Sequence, residues 1–274
     1  MDKWAKECAR VLADTGTLIW WGHALKIAYS QIVLDKYLTL LNSCVWEKKD
    51  CKTKASDPLI LRRFSPVTER FLLYEKRDIT IPTGLQKIYS NPECFVPIKK
   101  YMRGERAAVM QHFGFANFAE FDKWISGITG TSGMARHYFT DSQWALPTAE
   151  MWAKMQATGF FQREYEDLRK EYEDLRRPFN LERMQTDVFT FLQEGYITQN
   201  YDHETKKPET LTRALILACS RKGDLVFVPF AGSGTECAMA AREGRRFVGC
   251  EIDPKHHRTA SERVQRELST PTLF

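Results

Sequence analysis

No two of the seven cysteines stand in a C-x-x-C spacing. The scattered, odd-numbered set (Cys8, Cys44, Cys51, Cys94, Cys219, Cys237, Cys250) suggests neither a disulfide framework nor a zinc finger. No metal site is therefore expected, and a reducing cytoplasm is the expected setting. A long apolar run is also lacking. The opening residues, MDKWAKECARVLADTG, are charged and amphipathic, without the apolar core and small-residue cleavage site of a signal peptide, so no membrane association is expected. Neither sign of charge dominates: 40 Lys and Arg against 35 Asp and Glu leave +5, too little over 274 residues to demand a polyanionic partner. What is present, 43% hydrophobic and 27% charged residues, excludes disordered and collagenous classes. A chain of this length buries roughly 70 to 75% of its unfolded surface, so one core can hold it without staples.

Apolar periodicity organises the chain into three stretches. Trp4, Cys8, Val11 and Leu12 recur at helical spacing, Asp14-Thr15-Gly16 punctuates, and TLIWWG at 17–22 has the length and residues of a buried strand. A helical pattern over 24–37 follows, then NSCVWEKK and RFLLYEKR as further strands, so residues 1–78 form a first α/β part. From 79 to 185 the texture turns to prolines, glycines and short helical patterns, which predicts an inserted, mainly helical domain. It ends in a repeat, EYEDLRK at 164–170 and EYEDLRR at 171–177, whose period puts Tyr165, Leu168, Tyr172 and Leu175 on one face. Two heptads favour a solvated helix with one packed edge over a partner-binding coiled coil, and Pro178 stops it. Residues 186–274 return to α/β: a helix after Pro208, the strand DLVFVPF, a glycine turn, the helix TECAMAAREG, the strand RRFVGCEI and a last helix opened by Asp253-Pro254. Such a β-loop-α-β-α unit predicts parallel strands joined by right-handed crossovers.

The glycine turn, Phe230-Ala231-Gly232-Ser233-Gly234-Thr235, falls where strand becomes helix. There, missing side chains let a nucleotide approach the backbone and a helix N-terminus offers free N–H groups. Glu251 closes the next strand nineteen positions after Gly232, close to the spacing at which a carboxylate accepts hydrogen bonds from ribose hydroxyls. A dinucleotide fingerprint asks for a third glycine three positions after Gly234, and Cys237 stands there, which disfavours NAD.

With its upstream proline, Val-Pro-Phe-Ala-Gly-Ser-Gly-Thr-Glu (228–236) resembles the cofactor loop of amino-methylating DNA methyltransferases, usually Asp-Pro-Phe-x-Gly-x-Gly-Thr. The resemblance implies a permuted Rossmann-like methyltransferase sheet and S-adenosylmethionine (SAM) as cofactor. Phe230, Ala231, Gly232, Ser233, Gly234, Thr235 and Glu236 would lie at its methionine half, and Glu251 with Asp253 at its ribose. Val228 replaces the family's leading Asp, so whatever that carboxylate does must be done otherwise here. His203-Glu204-Thr205-Lys206-Lys207-Pro208 is similar to the family's His-x-Thr-x-Lys-Pro element, which implies that His203, Thr205, Lys207 and Pro208 close over the methionine carboxylate. A cationic Lys207 and a hydroxyl at Thr205 suit that anion. The resemblance covers residues 1–77 and 200–265, and makes 79–185 a target-recognition insert by position.

The family methylates an exocyclic amine through an Asp/Asn/Ser-Pro-Pro-aromatic loop that accepts hydrogen bonds from the amine and stacks on the flipped base. Ser56-Asp57-Pro58-Leu59, Ser65-Pro66-Val67 and Arg177-Pro178-Phe179 come nearest, and none has the double proline. The catalytic residues are therefore unassigned. In the family that loop precedes the helix matching the one at Met1 and ends a strand lying between those matching 224–229 and 17–22. The expectation is an N-terminally shortened chain in which those two strands pair directly or another chain, a second copy or a partner, fills the gap. Duplex DNA is the implied partner and a bacterial or phage context the implied source. A DNA-contacting face is expected from Lys99, Lys100, Arg103 and Arg106 at near-helical spacing, with Arg136 and His137 after a glycine-rich loop. Phe139 and Trp144 are expected in the core. The implied reaction is methylation of a base amine in duplex DNA, adenine N6 before cytosine N4, with a non-catalytic or partner-dependent SAM- or DNA-binding fragment as the alternative.

Overall fold

The computed structural model describes residues 1–49, 64, 67–76, 92–141, 144–181, 185–192 and 207–269. In chain order these form α1 (Asp2–Val11), β1 (Thr17–His23), α2 (Ile27–Leu34), β2 (Leu38–Lys49), β3 (Thr68–Lys76), α3 (Val96–Phe113), α4 (Phe118–Thr129), α5 (Ala135–Phe139), α6 (Ala149–Gln156), α7 (Tyr165–Leu175), β4 (Val188–Leu192), α8 (Glu209–Cys219), β5 (Leu225–Val228), α9 (Thr235–Arg242), β6 (Arg246–Gly249) and α10 (Pro254–Ser269). They divide into two compact units, Met1–Thr80 with Pro178–Phe274, and Ile81–Arg177. The second divide falls at Pro178, ahead of the expected 186, and the Asn180 N–H donates to the Ala218 carbonyl at 2.9 Å within the first unit.

The first unit is α/β. Its larger sheet runs β1-β3-β2-β4, with β3 antiparallel to both neighbours and β2 parallel to β4. The apolar run Phe71-Leu72-Leu73-Tyr74 in β3 is buried throughout because both faces of the sheet are covered. Strand alternation sends Phe71 and Leu73 to a cluster with Cys44, Trp46 and Leu211 and Leu215 of α8, while Leu72 and Tyr74 face Ala5, Ile27, Leu34 and Leu38. The smaller sheet is the parallel pair β5-β6, and Val226, Val228 and Phe247 cover one side of it together with α9, Ile216 of α8 and Val264 of α10.

Strand β4 was not anticipated from the sequence, and of the two alternatives expected for residues 17–22 and 224–229, direct pairing or a gap filled by another chain, direct pairing is not seen among the described residues. Among the described residues β1 pairs with β3 and β5 with β6, and no ladder joins the two sheets. Leu225, Phe227 and Val248, on the other side of the smaller sheet, are 47 to 55% exposed.

The second unit is helical, as its composition suggests. Its core gathers Phe95, Ile98, Met102, Val109, Phe121, Ile125, Phe139, Trp152, Phe161 and Leu168. Gly114 and Gly130, both left-handed, end α3 and α4 with a returning backbone N–H. The repeat forms α7, whose Leu168 is fully buried and whose Tyr165, Tyr172 and Leu175 pack on the same core, so its apolar edge is occupied within the chain. Phe139 is buried, and Trp144 packs on Phe95 while its indole donates to the Tyr138 carbonyl at 3.1 Å.

Candidate cofactor site

The glycine turn joins β5 to α9 and is shaped from beneath. Gly234, the residue before α9, takes a left-handed conformation (φ 75°), and a Cβ there would stand 2.7 Å from Ala260 Cβ and 2.9 Å from Ala260 Cα. Only glycine meets both conditions. The Gly234 N–H donates to the Ala231 carbonyl at 2.7 Å, closing the turn, and the Ala231 N–H donates to the Cys250 carbonyl at 2.8 Å, tying it to the end of β6. Ser233 and Thr235 point inward and are 4% and 2% exposed, whereas Phe230 is 60% exposed and lies against Trp4 of α1, ring centroids 4.8 Å apart. What the turn offers a ligand is thus backbone and the first N–H groups of α9, not its two hydroxyls.

Glu251 is fixed by that turn. Its Oε1 accepts the Asp253 N–H at 3.0 Å and its Oε2 the Gly232 N–H at 2.7 Å. The Asp253 bond first, and the Gly232 bond against the cost of burial, hold this carboxyl below its ordinary range. The N–H groups of Asp253, Gly232 and Ile252 still leave the carboxylate acceptor capacity for a ribose hydroxyl. Asp253 caps α10: its Oδ1 accepts from the N–H groups of His256 and Lys255 at 3.1 and 2.8 Å, and these bonds depress its carboxyl likewise.

Cys237 explains the absent third glycine. In a dinucleotide fold that glycine lets helix and strand approach closely. Here the small residue is on the strand: a Cβ on Gly249 of β6 would meet the Cys237 Sγ at 2.7 Å. Burial pushes the Cys237 thiol up to about 11. Val228, the position of the family's Asp, is 9% exposed within the same core.

Lys207 is the start of the described Lys-Pro element, while His203 and Thr205 lie outside the described residues. Its Nζ donates to Glu69 Oε2 at 2.7 Å and sits 5.1 Å over the Trp21 ring, and Lys48 holds the other oxygen of Glu69 at 2.8 Å. Burial alone would raise the Glu69 carboxyl, but the two lysines outweigh it and hold it low. Lys207 and Lys48 thus share the Glu69 carboxylate. Pro208 is buried and ends the element at α8. Burial raises the Glu236 carboxyl in the first turn of α9, against the pull of Lys207 and Arg263. Glu69, Lys48 and Arg263 were not anticipated. Arg263 was visible as the single cation in the stripe Ala260-Arg263-Val264 of an otherwise ordinary amphipathic helix.

The cations expected as a basic face in the second unit are engaged within it to different degrees. Lys99, Arg103 and Arg106 recur at i, i+4 and i+7, but their surroundings differ, and Arg103 stays exposed. Lys99 is 5% exposed, paired with Asp141 at 3.5 Å and 5.7 Å over Trp144. Arg106 donates to the Phe139 carbonyl at 3.0 Å and Arg103 also pairs with Asp141. Lys100 and, in α5, Arg136 are exposed, and His137 is partly buried. Among the described residues no group of His, Cys, Asp and Glu is placed to hold a metal, and no helix is long and apolar enough to cross a membrane.

A strand, glycine turn and helix answered by a fixed carboxylate on the next strand define a nucleotide-type site on a Rossmann-like α/β sheet. The chain belongs to the N6/N4 DNA methylase family, which it matches over residues 1–262. It is 38% identical over 104 residues to the DNA adenine methyltransferase YhdJ of Escherichia coli (strain K12), covering 38% of this chain and 34% of that one. It is 36% identical over 93 residues to the type II methyltransferase M2.DpnII of Streptococcus pneumoniae, covering 32% and 33%. The chain thus spans about a third of the length of the curated relatives it matches. In fold it is similar to the M1.HpyAVI–SAM complex, with a TM-score of 0.50 at 15% identity over 96% of this chain and 82% of that one.

Proposed function

We propose that this chain binds S-adenosylmethionine at the ends of β5 and β6 and serves methyl transfer to an exocyclic amine of a base flipped from duplex DNA, adenine N6 before cytosine N4. The observation that carries the reading is the Glu251 carboxylate, held by the Gly232 N–H with acceptor capacity in reserve, in a member of this family. Bound there, SAM supplies an electrophilic methyl group. The chain's own part is to orient the ribose through Glu251, to meet the carboxylate with the Lys207 cluster, and to present DNA to the helical unit through Lys100 and Arg136. The name of YhdJ favours adenine. A bacterial cytoplasm fits the names of the relatives.

Methyl transfer to an amine needs hydrogen-bond acceptors that aim its lone pair, and no two prolines are adjacent anywhere in this sequence to form the family's acceptor loop. The separate sheets favour one source for it: a strand carrying the loop, supplied by a partner chain and seated between β1 and β5. The contact of Trp4 with Phe230 places the end of β5 beside the start of α1, so the site and the open edges adjoin. The test is transfer of a labelled methyl group from SAM to unmethylated duplex DNA, run beside an equilibrium SAM titration. SAM binding without transfer supports a chain that awaits its acceptor loop. Transfer by these residues alone shows that amine methylation here dispenses with the double-proline loop, and absence of binding defeats the cofactor reading.

A further inference from the structure

Arg263 of α10 is 1% exposed, yet it faces neither solvent nor the open side of the glycine turn. Its Nη1 donates to the Thr235 hydroxyl at 2.7 Å and to the Ser233 carbonyl at 3.4 Å, and its Nη2 donates to the Glu209 carboxylate. Ala260, one helical turn earlier, supplies the surface against which Gly234 closes. One face of α10 therefore seats the glycine turn from behind. Glu209 is the first residue of α8 and follows Lys207-Pro208 directly, and Lys207 is anchored on Glu69. The guanidinium thus bonds at once to the two segments assigned to the cofactor. Removing a guanidinium from water is costly, and apolar side chains often replace a buried ion pair without loss of stability, so stability alone does not explain an arginine in this stripe. Its planar fork of donors fixes the mutual position of three acceptors, which an apolar contact does not do.

We propose that Arg263 is the positioning residue that sets the spacing between the glycine turn and the Lys207 segment, the span that a ligand carrying both an adenosine and an amino-acid carboxylate must bridge. This rests on the SAM reading above. It separates two kinds of ligand. One that reaches both segments feels the spacing, and one that engages only the turn and Glu251 does not.

The experiment is calorimetric titration of the full chain with SAM and with 5′-methylthioadenosine, which keeps the adenosine and the sulfur but lacks the amino-acid arm. Arg263→Lys and Glu209→Gln are each expected to weaken SAM roughly tenfold, as for members of one network, while changing methylthioadenosine less than about twofold. The double variant is expected to lose no more than the single ones. Arg245→Lys is the control: it disturbs another buried arginine, 8% exposed and held by Ser220 and the Glu243 carbonyl, and is expected to lower Tm with SAM affinity unchanged. If Arg263→Lys does not fold, Glu209→Gln carries the test by itself. Wild-type SAM affinity in a folded variant, or equal loss of both ligands, overturns the proposal and leaves Arg263 a support of the turn alone. A wild-type chain that binds methylthioadenosine but not SAM also overturns it, and one that binds neither defeats the cofactor reading itself.

Discussion

Gly232 and Glu251 stand nineteen positions apart in sequence, and the N–H of the first donates to the Oε2 of the second at 2.7 Å. The carboxylate that closes β6 is thereby part of the turn that closes β5. A charged acceptor for a backbone N–H contributes about 1.5 to 3 kcal/mol, so the pair fixes the turn's geometry and still leaves the carboxylate acceptor capacity for a ligand.

Glu251→Ala is therefore expected to weaken SAM and methylthioadenosine alike, by roughly 10- to 100-fold, because both carry the ribose. Calorimetry on the two ligands checks this. Loss of SAM with methylthioadenosine unchanged would move the ribose contact away from Glu251.

Glu69 makes a prediction about acid. Its carboxyl lies below the ordinary 4.5 because Lys207 and Lys48 outweigh the burial that would raise it. A carboxyl depressed in the folded state contributes stability that is fully present above its unfolded value and is lost as pH falls through the folded one. Urea midpoints of the wild type should accordingly fall from pH 5 downward by more than those of Glu69→Gln. Parallel curves for the two proteins would remove Glu69 from the acid limb.

Much of the first unit was legible because its elements rest on local signals. The run TLIWWG, the punctuation at Asp14-Thr15-Gly16 and the strand–turn–helix around Gly232 each place an element where the structure has one. β4 was missed because Val188–Leu192 follows no turn signal that periodicity reads, and its parallel partner β2 is remote in sequence. The burial of Lys99 was hidden for a related reason: charge spacing puts Lys99, Arg103 and Arg106 near one another on α3, but only the fold shows that Lys99 is buried beside Trp144 while Arg103 stays exposed. For Arg263 the sequence offers only its place in an apolar stripe, and its partners Glu209, Ser233 and Thr235 are brought around it by the fold.

For DNA, the exposed residues Lys100 and Arg136 are the ones expected to count. Charge reversal at each should lower the slope of log affinity against log salt by about one phosphate contact, whereas Lys99→Met should lower Tm and leave the slope alone. Fluorescence anisotropy across a salt series with a duplex oligonucleotide decides it. An unaltered slope in both reversals would place the DNA surface elsewhere.

The exchange of glycine for cysteine at 237 yields the most direct test of how the site is assembled. Helix α9 can approach β6 closely if the small residue lies on the helix or on the strand, and here Gly249 provides the room that the Cys237 Sγ fills. Gly249→Ala should thus destabilise by about 1 to 3 kcal/mol through overpacking, read as a lower urea midpoint at unchanged slope. Cys237→Ala by itself removes one sulfur from a buried contact and should cost about 1 kcal/mol. If the two positions share one space, the double variant is more stable than Gly249→Ala alone, since the methyl group enters the volume the sulfur has left, and the coupling is favourable by at least about 1 kcal/mol. Additive losses would mean that the helix already stands clear of the strand, and the closeness that makes this turn fit for a nucleotide would have to come from Gly234 and Ala260 alone.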